Sequence, residues 1–303
     1  MGARPRAALR GALAALGCAL AAGAWAQSGD EALGGTLKKV RDSGVVTLGV
    51  RDAAFPFSYA LPSGRHVGYS VDLCLAIVEE IKSAIDRADV AVRLLPLQSE
   101  QRLPAVRDGR VDLECGSTTN TQQRRQEVAF SPVIFVTGTR LLVRRDSGIR
   151  TWEQLRGRTV AASAGTTNEA AIRALAQRQA PGISVVTRPD LRQAFELFES
   201  GQADALASDE VLLLGLRART QAPRQLALVG DLLSFEPYGI AYRRDDPQLA
   251  QVVERSFRRL AESRELAWIY DQWFVRRLPG GEQLNLRMSP QLTAIFESLG
   301  LQP

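Results

Sequence analysis

E-C-G-S-T-T-N-T-Q-Q-R-R, residues 114–125, is the stretch of this chain that says most about its fold. Residues 110–113 before it alternate between polar and apolar side chains and predict a strand. The residues after it predict a short helix with Asn120 or Thr121 as its N-cap. A strand that leads through small hydroxyl residues into a helix offers backbone N–H groups and hydroxyls to an anion. We therefore predict an anion-binding turn in which Arg124 meets a carboxylate, although the motif alone also fits a solvated polar turn.

The composition is typical of a soluble globular protein with enough length for two lobes. Of its 303 residues, 45% are apolar and 23% are charged. The formal net charge is +5, but Arg4, Arg6 and Arg10 supply three of those charges before the first acidic residue, Asp30. Subtracting three from +5 leaves about +2, which is too weak and too scattered to indicate a nucleic-acid partner.

The N-terminus has the pattern of a secretory signal peptide. Residues 4–10 are basic, residues 13–22 are apolar, and an A-W-A cleavage site ends at Ala26. The apolar run is too short and too rich in alanine for a membrane anchor, whereas a lipoprotein attachment at Cys18 stays open as an alternative. We predict that residues 1–26 are cleaved and that the mature protein is periplasmic.

The first third of the mature chain alternates between strands and helices. Strand 45–50 is followed by a helix after residues 68–72, a strand at 90–97, and the strand that leads to Glu114. This order predicts a parallel sheet with crossovers, and ligands bind beyond the carboxyl ends of such strands. Between the last two strands, Ser99 is expected to cap a short helix. The side chains that fall at the predicted strand ends are Arg51, Ser99, Arg102, Ser117 and Thr119.

A second strand–glycine–hydroxyl–helix pattern occurs further along the chain. Strand 159–163 leads into A-G-T-T-N-E, residues 164–169, which begins a helix. Thr166 and Glu169 form a capping-box pattern, and Thr167 adds a hydroxyl at the helix start. We therefore expect a second lobe that presents an anion-binding turn like the first.

The chain is predicted to cross into this second lobe and back. Strand 203–208 places Asp209 at its end, and the strand around Tyr238 returns to the first lobe. The predicted boundaries are residues 36–137 for the first part of lobe one, 138–235 for lobe two, and 236–303 for the return segment with the C-terminal helices.

Export leaves two cysteines, Cys74 and Cys115, in an oxidising compartment. A disulfide between them and two separate buried thiols are both open.

Nothing in the sequence predicts catalysis or a metal site: the chain has one histidine and lacks the G-x-S-x-G, H-E-x-x-H and P-loop motifs. We therefore expect no cofactor, no metal and no enzymatic activity.

The ordered motifs resemble those of the glutamate/aspartate-binding proteins of ABC importers, within the polar amino-acid group of type II periplasmic binding proteins. E-C-G-S-T-T-N followed by Arg124 carries most of this resemblance, which extends from about Leu37 to Leu299. The resemblance implies an α/β fold of two lobes, each a mostly parallel sheet flanked by helices, with the ligand cleft between them. It also implies a hinge near residues 136–139 and 235–238, a monomer, and delivery of the ligand to an inner-membrane ABC permease.

The resemblance further implies three subsites for an acidic amino acid. The residues for the α-carboxylate are Arg124, Thr119 and Thr167. The residues for the α-ammonium are Asp209 and Ser117. The residues for the side-chain carboxylate are Arg51, Ser99 and Arg102. Independently of the family, three arginines and one aspartate facing a cleft give about +2, and a neutral ligand would leave two of the arginines desolvated and unpaired.

One position departs from the family pattern. Where these proteins usually have a histidine that serves the side-chain carboxylate, this chain reads Asp190-Leu191-Arg192. Leu191 cannot donate a hydrogen bond, so either the subsite loses a contact or Arg192 replaces it. Binding of glutamine or asparagine is therefore an alternative. An exported dehydratase of the cyclohexadienyl type on the same scaffold is a second one, with Asp209 as its acid or base.

Overall fold

The structure is a computed structural model, and it describes residues 1–2, 32–178, 182–278 and 280–301. The predicted cleavage site at Ala26 and the alternative lipidation site at Cys18 lie outside these residues. Contacts divide the chain into two units, residues 1–33 and 34–303, and the elements below belong to the second. Within the described ranges, no helix combines the length and the apolar character needed to cross a membrane.

The elements alternate as the sequence pattern predicts. Up to the first crossing they are α1 (Gly35–Ser43), β1 (Val45–Val50), β2 (Ala53–Ala54), β3 (Ser58–Ala60), β4 (His66–Val67), α2 (Tyr69–Ala84), β5 (Ala91–Pro96), α3 (Arg102–Arg107), β6 (Leu113–Glu114), β7 (Val128–Phe130) and β8 (Phe135–Thr137). They continue with β9 (Thr139–Arg144), β10 (Thr159–Ser163), α4 (Thr167–Arg178), β11 (Ser184–Arg188), α5 (Leu191–Glu199), β12 (Ala205–Asp209), α6 (Glu210–Arg219) and β13 (Leu226–Val229). The return segment contains β14 (Glu236–Tyr238), β15 (Ala241–Arg243), α7 (Pro247–Glu262), α8 (Glu265–Phe274) and α9 (Pro290–Ser298).

The sheet of the first lobe has the strand order β5-β1-β6-β15-β7. β1 pairs in parallel with β5 and β6, while β15 runs antiparallel to β6 and β7. Helix α2 packs against α7, and its apolar positions Leu73, Ile77 and Ile81 have no exposed surface. Burial of this stripe explains why the apolar spacing of 3.6 residues forms a helix here.

The sheet of the second lobe repeats this arrangement with the order β11-β10-β12-β9-β13. β10 pairs in parallel with β11 and β12, and β9 runs antiparallel to β12 and β13. Its core includes Leu141, Val160, Ile172 and Leu175, which join the sheet to helix α4. The predicted α/β fold of two lobes with mostly parallel sheets is therefore confirmed.

Two neighbouring strands connect the lobes. β8 leads directly into β9, and β14 follows β13 on the way back to β15. β8 and β14 pair antiparallel, with Glu236 opposite Thr137 and Tyr238 opposite Phe135. Gly138 is required at this crossing because a Cβ atom there would collide with the carbonyl oxygen of Ser234.

Two local predictions are wrong. The segment after Thr121 forms a single 3-10 turn, Arg124–Gln126, and not a helix. Thr119 and Asn120 are held against β14 by a bridge to Tyr238 and a backbone hydrogen bond to Pro237, so tertiary pairing holds the segment extended. Ser99 does not cap a helix either: the Gln101 side chain accepts from the N–H of Gln98, and Ser99 begins a 3-10 turn before α3.

Candidate functional site

A single cavity between the lobes collects every side chain predicted for the site. The predicted residues that line it are Arg51, Ser99, Arg102, Ser117, Thr119, Arg124, Thr167 and Asp209. The remaining lining residues are Ala53, Ala54, Ser163, Thr166, Asn168, Leu191, Ser208 and Leu212. The carboxyl ends of β1, β10 and β12 contribute Arg51, Ser163 and Asp209, as expected for parallel sheets.

Arg51 follows the last residue of β1 and is buried. Its Nη2 donates to Oγ of Ser99 at 2.9 Å, while its Nε has no hydrogen-bond partner among the described residues. Burial, and then the charge of Arg102, lower the pKa of Arg51 to about 10. The group is still protonated at neutral pH, so it presents a positive charge with unused donor capacity to the cavity.

Arg102 lies at the start of α3 and is anchored by its own lobe. Its Nε donates to the carbonyl oxygen of Ser99 at 3.0 Å, and its Nη1 donates to the carbonyl of Ser117 at 3.2 Å. Nη1 also donates to the hydroxyl of Thr118, which in turn donates to Glu114. Nη2 makes no hydrogen bond within the described part of the chain, so this nitrogen is the one left to contact a ligand.

Arg124 reaches across the cleft. Its Nη1 donates to the carbonyl oxygen of Thr119 at 3.0 Å, and its Nη2 donates to the carbonyl of Gly165 in the second lobe at 3.4 Å. Burial, and then the charge of Arg102, lower the pKa of Arg124 to about 10. Because Gly165 precedes α4, the guanidinium group faces the N-terminal end of that helix, where an anion is favoured.

Asp209 is the acidic group of the cavity. It ends β12, is 4% exposed, and accepts hydrogen bonds from Nδ2 of Asn168 at 2.9 Å and from the Tyr238 hydroxyl at 2.5 Å. Burial, and then the negative charge of Glu236, raise the pKa of Asp209 to about 6. A cationic group placed beside it would relieve this cost, so the position suits an ammonium group.

Sequence reasoning missed two buried acids beside the cavity. Glu114 has no exposed surface and accepts from the hydroxyl of Thr118 at 2.6 Å. Glu236 is 2% exposed and accepts from the hydroxyls of Thr119 and Thr167 at 2.7 and 2.6 Å. The count of about +2 for the cleft therefore omits two carboxylates that lie directly behind its walls. Glu114 begins the E-C-G-S-T-T-N motif, whereas no sequence signal marks Glu236.

The structure also locates the position that departs from the family pattern. Leu191 lines the cavity and is 5% exposed, as the first residue of α5. Arg192 is exposed to solvent and does not line the cavity, so it does not replace the missing donor. No cluster of three or more histidine, cysteine or acidic side chains suited to a metal ion occurs among the residues that the structure describes.

Two α/β lobes joined by paired strands, with a polar cavity between them, have the architecture of a two-lobed solute-binding protein. The chain belongs to the bacterial extracellular solute-binding proteins, family 3, whose model matches residues 46–276. The resemblance drawn from the motifs is thereby confirmed.

Named relatives cover nearly the whole chain. It is 38% identical over 268 residues to the L-glutamate/L-aspartate-binding protein of Pseudomonas aeruginosa, an alignment that covers 88% of this chain and 89% of the relative. It is 36% identical over 288 residues to the glutamate/aspartate import solute-binding protein of Escherichia coli, covering 94% of this chain and 95% of the relative. These relatives are solute-binding proteins and not enzymes.

Solved structures agree on the fold. An ancestral amino acid-binding protein, described as a precursor of cyclohexadienyl dehydratase, has a TM-score of 0.67 and 27% identity, covering 79% of this chain and 99% of that chain. An ancestral arginine-binding protein bound to glutamine has a TM-score of 0.68 and 26% identity, covering 76% of this chain and 98% of that chain. Both support the type II periplasmic binding protein fold.

Proposed function

We propose that this protein captures glutamate or aspartate between its lobes and delivers it to the membrane permease of an ABC importer. The observation that carries the proposal is the convergence of three guanidinium groups and one buried carboxylate, those of Arg51, Arg102, Arg124 and Asp209, on one cavity. An acidic amino acid offers two carboxylates and one ammonium group, which complement this set. The names of the relatives in Pseudomonas aeruginosa and Escherichia coli support the same ligand class.

We assign three subsites to this ligand. Arg124 faces the N-terminal end of α4 and would bind the α-carboxylate. Asp209 would accept from the α-ammonium, with Ser117 as the second residue of this subsite. Arg51, Ser99 and Arg102 form one hydrogen-bonded group in the wall of the cavity and would bind the side-chain carboxylate. Closure of the lobes would exclude water and strengthen these contacts.

Glutamine or asparagine is the second candidate, and Leu191 is the observation that favours it. Its apolar side chain lines the cavity where an additional donor would help an acidic ligand. Against it, a neutral amide would leave Arg51 and Arg102 buried without a matching carboxylate. The charges of Glu114, Asp190 and Asp52 reduce this penalty for Arg51, but none of them forms an ion pair with it within the described part of the chain. We therefore favour the acidic ligand.

The remaining assignments concern the maturation and shape of the protein. We infer export to the periplasm with cleavage after Ala26, lobe boundaries at 36–137, 138–235 and 236–303, and a hinge at β8 and β14. We also infer a monomer in which Cys74 and Cys115 form a disulfide. Their Cα atoms lie 6.1 Å apart, within the usual range for a disulfide.

The test is a thermal-shift screen of the mature protein, unfolded and refolded to remove bound ligand, against all common amino acids. A ligand that binds only the folded state raises the melting temperature. We expect the largest increases with glutamate and aspartate. Arg124→Ala should abolish them, while Arg125→Ala should retain them, because Arg125 is exposed and outside the cavity. Equal binding by both variants would contradict the proposal.

A further inference from the structure

A continuous chain of buried and half-buried hydrogen bonds links Asp209 to Glu236. Asn168 donates through Nδ2 to Asp209 at 2.9 Å and to the hydroxyl of Thr139 at 2.7 Å. The hydroxyls of Thr139 and Ser234 lie 2.7 Å apart, and that of Ser234 lies 2.6 Å from Glu236. The chain therefore runs from the second lobe, through the segment before β14, to a residue on the strand that returns to the first lobe.

Each hydroxyl in this network has one proton, so the direction of every hydrogen bond can be assigned. Glu236, as a carboxylate, can only accept hydrogen bonds. Ser234 therefore donates its hydroxyl proton to Oε1 of Glu236. Thr139 must then donate to Ser234, and it accepts from Asn168, whose two amide protons serve Thr139 and Asp209. No donor or acceptor in this chain is left in conflict.

The hydrogen-bond directions of the two threonines of the cavity can be assigned in the same way. Thr119 comes from the first lobe and Thr167 from the second, and both lie within 2.7 Å of the same oxygen, Oε2 of Glu236. Their own hydroxyls are 3.3 Å apart. Each of the two hydroxyl groups donates its only proton to Glu236. Each therefore presents oxygen lone pairs, and not a donor, to the cavity.

We propose that Glu236 is a positioning residue for amine recognition: by accepting the hydroxyl protons of Thr119 and Thr167, it makes both oxygens acceptors for the ligand's ammonium group. The inference rests on the proposed function and revises it at one point. The resemblance assigns the two threonines to the α-carboxylate as donors, whereas the proton count joins them to Asp209. The α-carboxylate is then held by Arg124 and by backbone N–H groups at the start of α4.

Glutamate and glutarate separate the two assignments because glutarate is glutamate without its amino group. Affinities are measured by calorimetry, with glutarate determined by displacement of glutamate. Thr119→Val should lower the affinity for glutamate by at least about tenfold and the affinity for glutarate by much less. Only glutamate loses an acceptor for its ammonium group. Thr119→Ser retains the hydroxyl and should bind both ligands nearly as the unaltered protein does.

Glu236→Gln tests the positioning role itself. The substitution keeps the shape, removes the negative charge, and allows the two threonine hydroxyls to donate to the ligand. We expect weaker binding of glutamate, by about tenfold or more, together with unchanged or stronger binding of glutarate. A merely structural role would weaken both ligands by the same factor.

The outcomes distinguish this inference from the proposed function. If the unaltered protein binds glutamate but Glu236→Gln and Thr119→Val lower the affinities for glutamate and glutarate equally, the positioning role is wrong. The proposal of an acidic ligand is then unaffected. If the unaltered protein does not bind glutamate, the proposed function fails and the inference with it. Should Glu236→Gln not fold, as judged by circular dichroism, the pair Thr119→Val and Thr119→Ser decides the question.

Discussion

The hydroxyl of Tyr238 donates a hydrogen bond of 2.5 Å to the carboxylate of Asp209. Tyr238 belongs to β14, the strand that leaves the second lobe, whereas Asp209 ends the last parallel strand of that lobe. Neither group has more than 4% of its surface exposed. The connection between the lobes therefore holds the acid of the cavity directly, and the pKa of Asp209 depends on an environment that both lobes build.

Ligand binding should depend on the protonation of Asp209. Burial raises the pKa of Asp209 to about 6 in the empty protein, and the ligand's ammonium group should favour the ionised form and lower that pKa. Binding then releases a proton below about pH 6. We expect the affinity for glutamate to fall on the order of tenfold between about pH 7 and pH 5, measured by calorimetry in two buffers of different ionisation enthalpy.

Asp209→Asn is the control for this pH dependence. The variant should bind weakly at every pH in that range, because its amide can neither ionise nor offset the ammonium charge. An affinity of the unaltered protein that stays flat from about pH 7 to pH 5 would place the ammonium elsewhere.

The two arginines assigned to the side-chain carboxylate, Arg51 and Arg102, should decide the choice between acid and amide. Arg51→Ala should weaken the binding of glutamate by about 1.5–3 kcal/mol more than the binding of glutamine. Only the acidic ligand loses a charge-assisted hydrogen bond. Arg51 is preferable to Arg102 for this test, since Arg102 also holds the carbonyl groups of Ser99 and Ser117. Arg102→Ala should show the same preference with an added loss of stability. Equal losses for glutamate and glutamine in both variants would argue against a carboxylate subsite here.

The mature protein should contain no free thiol. Cys74 and Cys115 are separated by 41 residues, and closing a loop of that size stabilises the fold by about 3–4 kcal/mol in the chain-entropy model. Thiol titration of the unfolded protein should therefore detect a free cysteine only after reduction. The double variant Cys74→Ala with Cys115→Ala should lower the free energy of unfolding by a similar amount. Two free thiols before reduction would show that the residues are not joined.

Arg219 should support closure without selecting the ligand. It ends α6 of the second lobe, and its guanidinium carbon lies 5.0 Å from the ring centre of Phe55 and 5.2 Å from that of Tyr59 in the first lobe. Its Nε also lies 3.1 Å from Glu282. Loss of these contacts disfavours the closed arrangement of the lobes. Arg219→Ala should therefore lower the affinity for every ligand by the same factor of about 2 to 5.

Arg217→Ala, in the same helix, is the matched control and should leave affinities unchanged. Calorimetry with glutamate, aspartate and glutamine checks both variants. A change in the order of the three ligands would mean that Arg219 acts on the cavity itself.

The architecture was readable from local patterns. β1, α2 and β5 follow one another at the predicted positions because alternation and the 3.6-residue spacing report which faces are buried. The turn after Thr121 was not readable in this way. Its polar sequence suits a helix, but Thr119 and Asn120 pair with the returning strand more than 110 residues later, and no local rule contains that pairing.

The same division applies to the site. The chain itself determines that Arg51, Arg124 and Asp209 stand at strand ends or at the following turns, because in a parallel sheet the carboxyl ends share one edge. Only the tertiary structure decides which way the protons point. Glu236 lies far along the chain from Thr119 and Thr167, and it reaches both only because β14 passes between the lobes. Hydrogen-bond direction depends on such distant neighbours, whereas strand order depends on the local alternation of side chains.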